Sequence, residues 1–215
     1  MSLQKSKKAI VYETLKKRII SHSLHPGEPL NESVLSKELK ISKTPIREAF
    51  QQLEKEGFIE SVPGRGAFVS RISIQDIREL FEIREILECQ VIRRVASKGD
   101  LNKSEAEAIG KKFESSDSNG NRTPKSYFKA GDQIHTFIFE AFGNKRLLEI
   151  YKRLQDHIER MRLYFFSQLN PERSEKSFKE HLEIIEALVA QDPERAEKAM
   201  REHLQNSLEY QKKII

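Results

Sequence analysis

Apolar residues at helical spacing begin close to the start of the chain. Val11, Leu15 and Ile19 follow one another at intervals of four, with Lys and Arg between them. Because this period places the three side chains on one face, residues 9–21 are predicted to form an amphipathic helix. The Pro and Gly residues of the next segment, 25–29, end that helix.

Two shorter helices are predicted to follow. Asn31 can cap a helix over residues 32–39. We expect its buried residues to be Val34, Leu35 and Leu39. Pro45 fits the first turn of a third helix, because its missing N–H needs no partner there, and Gly57 ends it. The apolar stripe of this third helix is Ile46, Phe50 and Leu53.

A change from helical to strand-like pattern comes directly after Gly57. Residues 58–62 and 67–70 are two short β-prone runs, and the turn between them is Pro63-Gly64-Arg65-Gly66. This arrangement predicts a hairpin. Three helices followed by a hairpin is the order of a winged helix-turn-helix, which we assign to residues 1–72.

The remaining residues, 73–215, carry helical periodicity and no strand signal. A capping pattern at Ser73 opens a long helix to about Lys98. A second helix, over residues 102–115, is followed by a polar loop at 115–124. Further helices are predicted over residues 125–142, 145–168, 174–190 and 194–213. About six helices in this length predict an antiparallel all-α bundle, so the whole fold is mainly α.

Charge divides the chain at the same place. Residues 1–72 hold 13 Lys and Arg against 8 Glu, whereas residues 73–215 hold 25 basic and 25 acidic residues. The whole net charge of +5 therefore lies in the first third. A basic module joined to a neutral one favours a polyanionic partner for the first, although chance surface charge would give the same count.

Composition indicates the cellular compartment in which we expect the protein. No stretch approaches the ~20 apolar residues that span a bilayer, and the first residues lack the apolar core of a signal peptide. The single cysteine, Cys89, excludes an internal disulfide and a zinc site built from cysteines. We therefore expect a cytoplasmic protein with no membrane partner.

Candidate DNA contacts gather at the start of the third helix and at the hairpin tip. Helix N-termini attract phosphates, and the hydroxyls of Ser42 and Thr44 can donate to phosphate oxygens. Lys43 adds charge, and Arg47 can bond a guanine edge or a phosphate. Arg65 lies between two glycines that let the backbone approach DNA closely. A capped surface helix with ordinary charges is the alternative for each residue alone.

These residues belong to a longer pattern that resembles the signature of the GntR family of bacterial transcription regulators. The matching runs are Asn31-Glu32-x-Val34-Leu35-Ser36, Ser42-Lys43-Thr44-Pro45-Ile46-Arg47-Glu48-Ala49 and Glu56-Gly57-Phe58-Ile59. The resemblance implies a winged helix that acts as a homodimer on a palindromic operator in double-stranded DNA. It also implies DNA contacts at Ser42, Lys43, Thr44, Arg47, Arg65 and Gly66. Ser33 occupies a contact position that is often Arg in the family.

Three histidines of the second module lie on predicted apolar stripes. His135, His181 and His203 come from three different predicted helices, and Asp132 lies one turn before His135. Imidazoles in an apolar core are costly unless they are satisfied, and a divalent metal satisfies several together. Separate hydrogen bonds to backbone or water are the alternative.

Arg84 and Glu88 interrupt the apolar stripe of the first long helix at positions i and i+4. A buried ion pair explains this spacing. A second explanation is that Arg84 binds the carboxylate of an anionic effector inside the bundle.

A second resemblance covers about residues 76–210. Asp132-Gln133-Ile134-His135, Glu180-His181 and Met200-x-x-His203-Leu204 look like the FCD effector domain of the FadR-like GntR branch. The resemblance implies one Asp and three His on a Zn, Ni or Mn-type ion, with a small carboxylate bound above it. The family Asp usually falls four residues before the first His. That position is Gly131 here, and Asp132 comes one residue later.

Together these patterns predict a dimeric, metabolite-responsive transcription repressor with an organic-acid effector. Two alternatives remain at this point. A metal-dependent hydrolytic enzyme could use the three-His site to activate water, but no general base or nucleophile motif accompanies it. A purely architectural DNA-binding protein would not need a polar core.

Overall fold

The computed structural model describes residues 6–98, 101–118, 124–165 and 170–214, and these form nine helices and one three-stranded sheet. The chain divides into two compact units. The first comprises Met1–Ser73 and Glu159–Tyr164, and the second comprises Ile74–Ile158 and Phe165–Ile215. The prediction of a mainly helical protein with a small antiparallel sheet is confirmed.

The elements of the first unit are α1 (Lys7–Ile20), β1 (Pro29–Leu30), α2 (Glu32–Leu39), α3 (Lys43–Lys55), β2 (Ile59–Val62) and β3 (Gly66–Val69). Helix α3 packs against α1 and α2. The buried core between them comprises Val11, Leu15, Ile19, Leu30, Leu35, Ile46, Ala49, Phe50, Leu53, Phe58, Ile59 and Val69. It includes the predicted faces of α1 and α3, and burial of these faces is the main source of their stability.

The sheet of this unit has the strand order β1-β3-β2, and both pairings are antiparallel. Strands β2 and β3 form the predicted hairpin, with Ile59 opposite Val69 and Val62 opposite Gly66. Gly64 and Gly66 have φ angles of 73° and 96°, which residues with a side chain rarely adopt. The glycines therefore allow the tight turn that carries Arg65 at its tip.

The elements of the second unit begin with α4 (Ile74–Ser97), α5 (Lys103–Ser118) and α6 (Pro124–Phe142). They continue with α7 (Lys145–Tyr164), α8 (Pro171–Val189) and α9 (Pro193–Lys213). Helix α9 packs along α4 and α8, and α6 contacts α4, α5 and α8. The facing sides of α4, α6, α8 and α9 therefore enclose a common interior.

Three local predictions differ from the structure. The predicted burial of Val34 is wrong: its side chain is 59% exposed, because Leu35 on the adjacent face of the helix fills the core. Strand β1 was not predicted, since two residues give no period to detect. Residues 115–118 continue α5 rather than starting a loop, and the rest of that predicted loop, 119–123, lies outside the described residues.

The last helices begin and end close to their predicted bounds. Helix α8 begins at Pro171, three residues early, because the Asn170 side chain accepts a hydrogen bond from the Arg173 N–H and caps it. The predicted end of α7 at residue 168 lies outside the described residues. Within the described ranges, no helix has the length and apolar character needed to cross a membrane.

Candidate functional site

Three histidines meet in the interior of the second unit. His135 is on α6, His181 on α8 and His203 on α9, and none is more than 3% exposed. Their ring centroids are 4.3 to 5.3 Å apart. One ring nitrogen from each lies within 4.8 Å of the other two. The predicted convergence of these three side chains is therefore observed.

Each imidazole is held through its Nδ1 atom by an acceptor behind it. For His135 the acceptor is Glu88 Oε2 at 2.5 Å, and for His203 it is Glu180 Oε2 at 2.9 Å. For His181 it is the backbone carbonyl of Ser177 at 2.7 Å. Because a carbonyl and an ionised carboxylate can only accept, each Nδ1 carries the proton and donates it.

The Nε2 atoms of the three rings consequently present lone pairs to one another. Nε2 of His135 lies 3.3 Å from Nε2 of His181. Nε2 of His203 is buried and has no hydrogen-bond partner among the described residues. Lone pairs facing each other in a dry interior repel, and an unsatisfied buried nitrogen costs free energy. A cation bound between the rings would remove both costs.

The charge state of His203 suits a ligand role. Burial lowers the pKa of His203 well below its ordinary value, and the positive charges of Arg84 and Arg173 lower it further. The imidazole is therefore neutral near pH 7, and neutral imidazole is the form that binds metal.

Behind His135, Arg84 and Glu88 form a buried ion pair. Both side chains are 1% exposed, and Arg84 Nε donates to Glu88 Oε1 at 2.6 Å. Burial opposes ionisation of Glu88, but the charge of Arg84 and the hydrogen bonds from Arg84 and His135 outweigh it and lower the pKa of this carboxyl. One terminal nitrogen of Arg84, Nη2, is buried without a partner in the described part of the chain.

A second arginine and glutamate stand behind His203. Arg173 donates to both carboxylate oxygens of Glu180, at 3.2 and 3.0 Å, and Asn206 donates to Oε1 at 2.9 Å. Burial raises the pKa of Glu180, and Arg173 and Asn206 oppose that rise. The carboxylate of Glu180 thus accepts from Arg173, Asn206 and His203 at the same time.

Asp132 and Gly131, which precede His135 on α6, play different parts at this site. Asp132 is half-buried on α6, but its carboxylate does not belong to the cluster of ligand atoms that the three histidines form among the described residues. Gly131 packs directly on His181: a Cβ at this position would lie 2.9 Å from His181 Nε2. The missing side chain at residue 131 therefore leaves room for the imidazole.

The predicted DNA-contact residues lie on the surface of the first unit. Ser42, Lys43, Thr44 and Arg47 are all exposed at the N-terminal end of α3. Ser42 adopts the extended backbone of a helix cap, yet its hydroxyl makes no capping hydrogen bond. Ser33 is exposed in the first turn of α2. These hydroxyls and cations have the placement that phosphate contacts require.

Arg47 is held in place by Glu32, a pairing that the sequence did not indicate. Its Nε donates to both carboxylate oxygens of Glu32, at 3.0 and 2.8 Å. The side chain is still 64% exposed. The pairing therefore fixes the direction of an exposed guanidinium on the helix-turn-helix surface.

At the hairpin tip, Arg65 and Gly66 are also exposed. The guanidinium carbon of Arg65 lies 5.7 Å from the ring centroid of Phe68 on β3, a cation–π distance. The sequence indicated the charge and the glycines of this tip but not the aromatic support.

Comparison with known families agrees with the division of the chain into two units. Residues 7–69 match the model of bacterial regulatory proteins of the gntR family, and residues 79–206 match the FCD domain. The chain belongs to the GntR family of transcription regulators and carries an FCD domain.

Individual relatives support the same assignment. The chain is 29% identical over 183 residues to the HTH-type transcriptional repressor RspR of Escherichia coli, covering 85% of this chain and 78% of that protein. Among solved structures, McbR/YncC of E. coli has a TM-score of 0.75 at 19% identity and covers 98% of this chain and 99% of its own. A metal-free FCD domain from the transcriptional regulator TM0439 has a TM-score of 0.57 at 23% identity, covering 67% and 97%.

These relatives decide between the classes that the sequence left open. The families and the named relatives are DNA-binding transcription regulators, not enzymes. The prediction that the chain is not an enzyme is confirmed on that ground, and the hydrolytic alternative is set aside.

Proposed function

We propose that this regulator is a repressor whose operator affinity is set by a small carboxylate bound over a divalent metal in the helical unit. The observation that carries the proposal is the convergence of three buried Nε2 atoms whose Nδ1 atoms are all anchored. Similarity to RspR, which is named a repressor, supports the direction of regulation.

His135, His181 and His203 would hold the metal, a Zn, Ni or Mn-type ion. Two nitrogens bound at zinc's usual ~2.0–2.1 Å with a tetrahedral angle lie about 3.3 Å apart. The His135 and His181 Nε2 atoms are 3.3 Å apart, and His203 Nε2 is buried without a described partner. Asp132 is the proposed fourth ligand, and its carboxylate, which lies outside the cluster of histidine nitrogens, would have to turn toward the ion. Water or an effector carboxylate is the alternative. The bound ion would act as a Lewis acid toward carboxylate oxygens.

The proposed effector is an anion because of the charges around this site. Three neutral imidazoles leave the charge of a divalent ion uncompensated. Arg84 Nη2 offers a buried donor without a described partner. A carboxylate would be attracted by both charges, that of the bound ion and that of the Arg84 guanidinium. The effect on operator affinity would equal the effector's preference between two states of the protein.

The proposed DNA interface consists of the start of α3, the start of α2 and the hairpin tip. Ser33, Ser42, Lys43 and Thr44 would bind phosphates, and Arg47 would reach a base edge in the major groove. Arg65 and Gly66 would approach the minor groove. Two such interfaces in a homodimer would match the two halves of a palindromic operator.

The metal and effector part is tested on the full chain. Metal is removed with a chelator, and Zn²⁺ is then titrated by calorimetry, with lactate, malate and citrate added to the loaded protein. We expect one Zn²⁺ per chain and a rise in unfolding temperature with at least one of the acids. In Arg84→Lys, zinc binding should remain and the response to the acid should weaken. Absence of zinc binding by the wild-type chain would reject this part.

The DNA part is tested by selecting duplexes from a random library at moderate salt and measuring binding by fluorescence anisotropy. We expect a palindromic consensus bound by a dimer. Arg47→Ala should weaken binding to the consensus by about 1–3 kcal/mol. Arg94→Ala is the control, because Arg94 is exposed on α4 outside the proposed interface. Equal affinity for consensus and random DNA would reject the proposal.

A further inference from the structure

Two of the three core histidines are each hydrogen-bonded to a glutamate that is in turn paired with an arginine. One series is Arg84–Glu88–His135 and the other is Arg173–Glu180–His203. In both, a guanidinium bonds a buried carboxylate, which accepts from the histidine Nδ1. His181 differs, because its Nδ1 is held by the uncharged backbone carbonyl of Ser177.

We infer that Glu180, held in place by Arg173, is a positioning residue that aims His203 Nε2 into the metal centre and strengthens it as a donor. The inference rests on the proposed metal function, which it deepens. It assigns a role to two residues that do not themselves reach the centre.

The geometry supplies the reason. Glu180 Oε2 is 2.9 Å from His203 Nδ1, so the ring proton is fixed on the side away from the centre. A carboxylate in this position also raises the electron density on the opposite nitrogen, and such partners typically contribute 10–100-fold to metal affinity. A freely rotating imidazole in this interior would have no such preference between its two nitrogens.

Arg173 stabilises the negative charge of the Glu180 carboxylate inside the protein. Its two parallel bonds to Glu180 fix the plane of the carboxylate, and a third bond, to Ser207 Oγ at 2.8 Å, ties the guanidinium to α9. The arrangement joins α8, which carries Glu180, to α9, which carries His203. The position of His203 is thereby set by both helices.

Glu180 offers a cleaner test than its counterpart Glu88. Glu88 is fully buried, and its removal would leave the Arg84 charge buried without its partner, which threatens folding. Glu180 is 12% exposed and shares Arg173 with Ser207, so its substitution leaves the arginine a remaining partner.

The first measurement is a Co²⁺ titration of the metal-free full chain, followed by the visible bands of the bound ion. We expect Glu180→Ala to lower Co²⁺ affinity by about 10–100-fold and to alter the bands. Glu180→Gln should fall between this variant and the wild type, because its amide oxygen still accepts from Nδ1 but carries no charge. Glu183→Ala is the control: it removes the same charge from the same helix, where Glu183 pairs with half-buried Arg195.

The second measurement needs no metal. Ring ¹⁵N spectra of histidine-labelled, metal-free protein report which nitrogen carries the proton. His203 should be protonated at Nδ1 in the wild type and in Glu183→Ala, and should shift toward protonation at Nε2 in Glu180→Ala. Circular dichroism shows whether each variant is folded, and the isosteric Glu180→Gln serves if the alanine variant is not.

The outcomes separate the two claims. If the wild type binds no Co²⁺ and no Zn²⁺, the metal function fails, whereas the ¹⁵N spectra still test the role of Glu180. If Glu180→Ala binds Co²⁺ as tightly as Glu183→Ala and keeps the Nδ1 proton on His203, the inference is overturned.

Discussion

Gly131 leaves the space that the His181 ring occupies. A Cβ at residue 131 would lie 2.9 Å from His181 Nε2 and 3.0 Å from Cε1, closer than packed atoms tolerate. We expect Gly131→Ala to displace the ring and to lower zinc affinity by about 10–100-fold, the range seen when a metal-binding histidine loses the contacts that orient it. Zinc calorimetry on the chelator-treated protein measures this change.

A control for crowding is available on α5. A Cβ at Gly110 would meet Ile185 Cγ2 at 3.0 Å, a similar contact with an apolar side chain. Gly110→Ala should therefore leave zinc affinity unchanged, whatever it does to stability. Equal zinc affinity in Gly131→Ala and the wild type would show that His181 is free to move away without consequence.

The single thiol of the chain, Cys89, should be unreactive toward alkylating reagents in the folded protein. Cys89 is 1% exposed, and burial raises the pKa of its thiol to about 12. Because the thiolate is the nucleophile, alkylation by iodoacetamide at pH 8 should be very slow for native protein and rapid in denaturant. The unfolded thiol loses its proton near pH 9.0, so this group also lowers the free energy of unfolding as pH rises from there toward 12. Rapid native labelling at pH 8 would contradict the burial.

The residues at the centre of the helical unit could be predicted from sequence, but the residues behind them could not. The three histidines stood out because polar side chains interrupt apolar stripes at 135, 181 and 203. Glu180 is next to His181 in sequence, so it gave no sign that it bonds His203 on another helix. The i, i+4 spacing predicts Glu88 as a partner for Arg84, and only the packing of α4 against α6 shows that Glu88 also holds His135.

Helix α2 depends on its cap because it has only eight residues. The Asn31 side chain accepts from the N–H groups of Ser33 and Val34, at 2.8 and 3.2 Å. We expect Asn31→Ala to cost about 1 kcal/mol of the free energy of unfolding, measured by urea denaturation. Ser33→Ala is the control, since only its backbone takes part in the cap. Equal stability of the two variants would mean that the cap contributes nothing.

Element prediction succeeded where periodicity was long and failed where it was short. The helices of both units show stripes over several turns, so their existence and order could be read from the sequence. Val34 was placed in the core because it is apolar and next to Leu35, but α2 has too few turns for the pattern to choose its buried face. Strand β1 exists through its pairing with β3, which is a property of the fold rather than of residues 29 and 30.

The separation of charge along the whole chain has a measurable consequence for DNA binding. All of the net charge of +5 belongs to residues 1–72, and residues 73–215 are neutral. Phosphate contacts release counterions from DNA, so each contact makes the slope of log affinity against log salt more negative by about 0.9. The salt dependence should therefore depend on cations of the first unit alone.

Substitution of Lys43 tests this prediction of the salt dependence most directly. It is exposed in the first turn of α3, and its ammonium group is a point charge suited to a phosphate rather than to a base edge. Lys43→Gln should weaken binding to consensus and random DNA alike. It should also make the slope of log affinity against log salt less negative by about 1 per bound protomer. Arg93→Gln removes the same charge from the second unit, where Arg93 pairs with Glu194 and Glu197, and should leave the slope unchanged. If Lys43→Gln instead weakens consensus binding alone and leaves the slope unchanged, Lys43 contacts a base, and the phosphate role belongs to its neighbours.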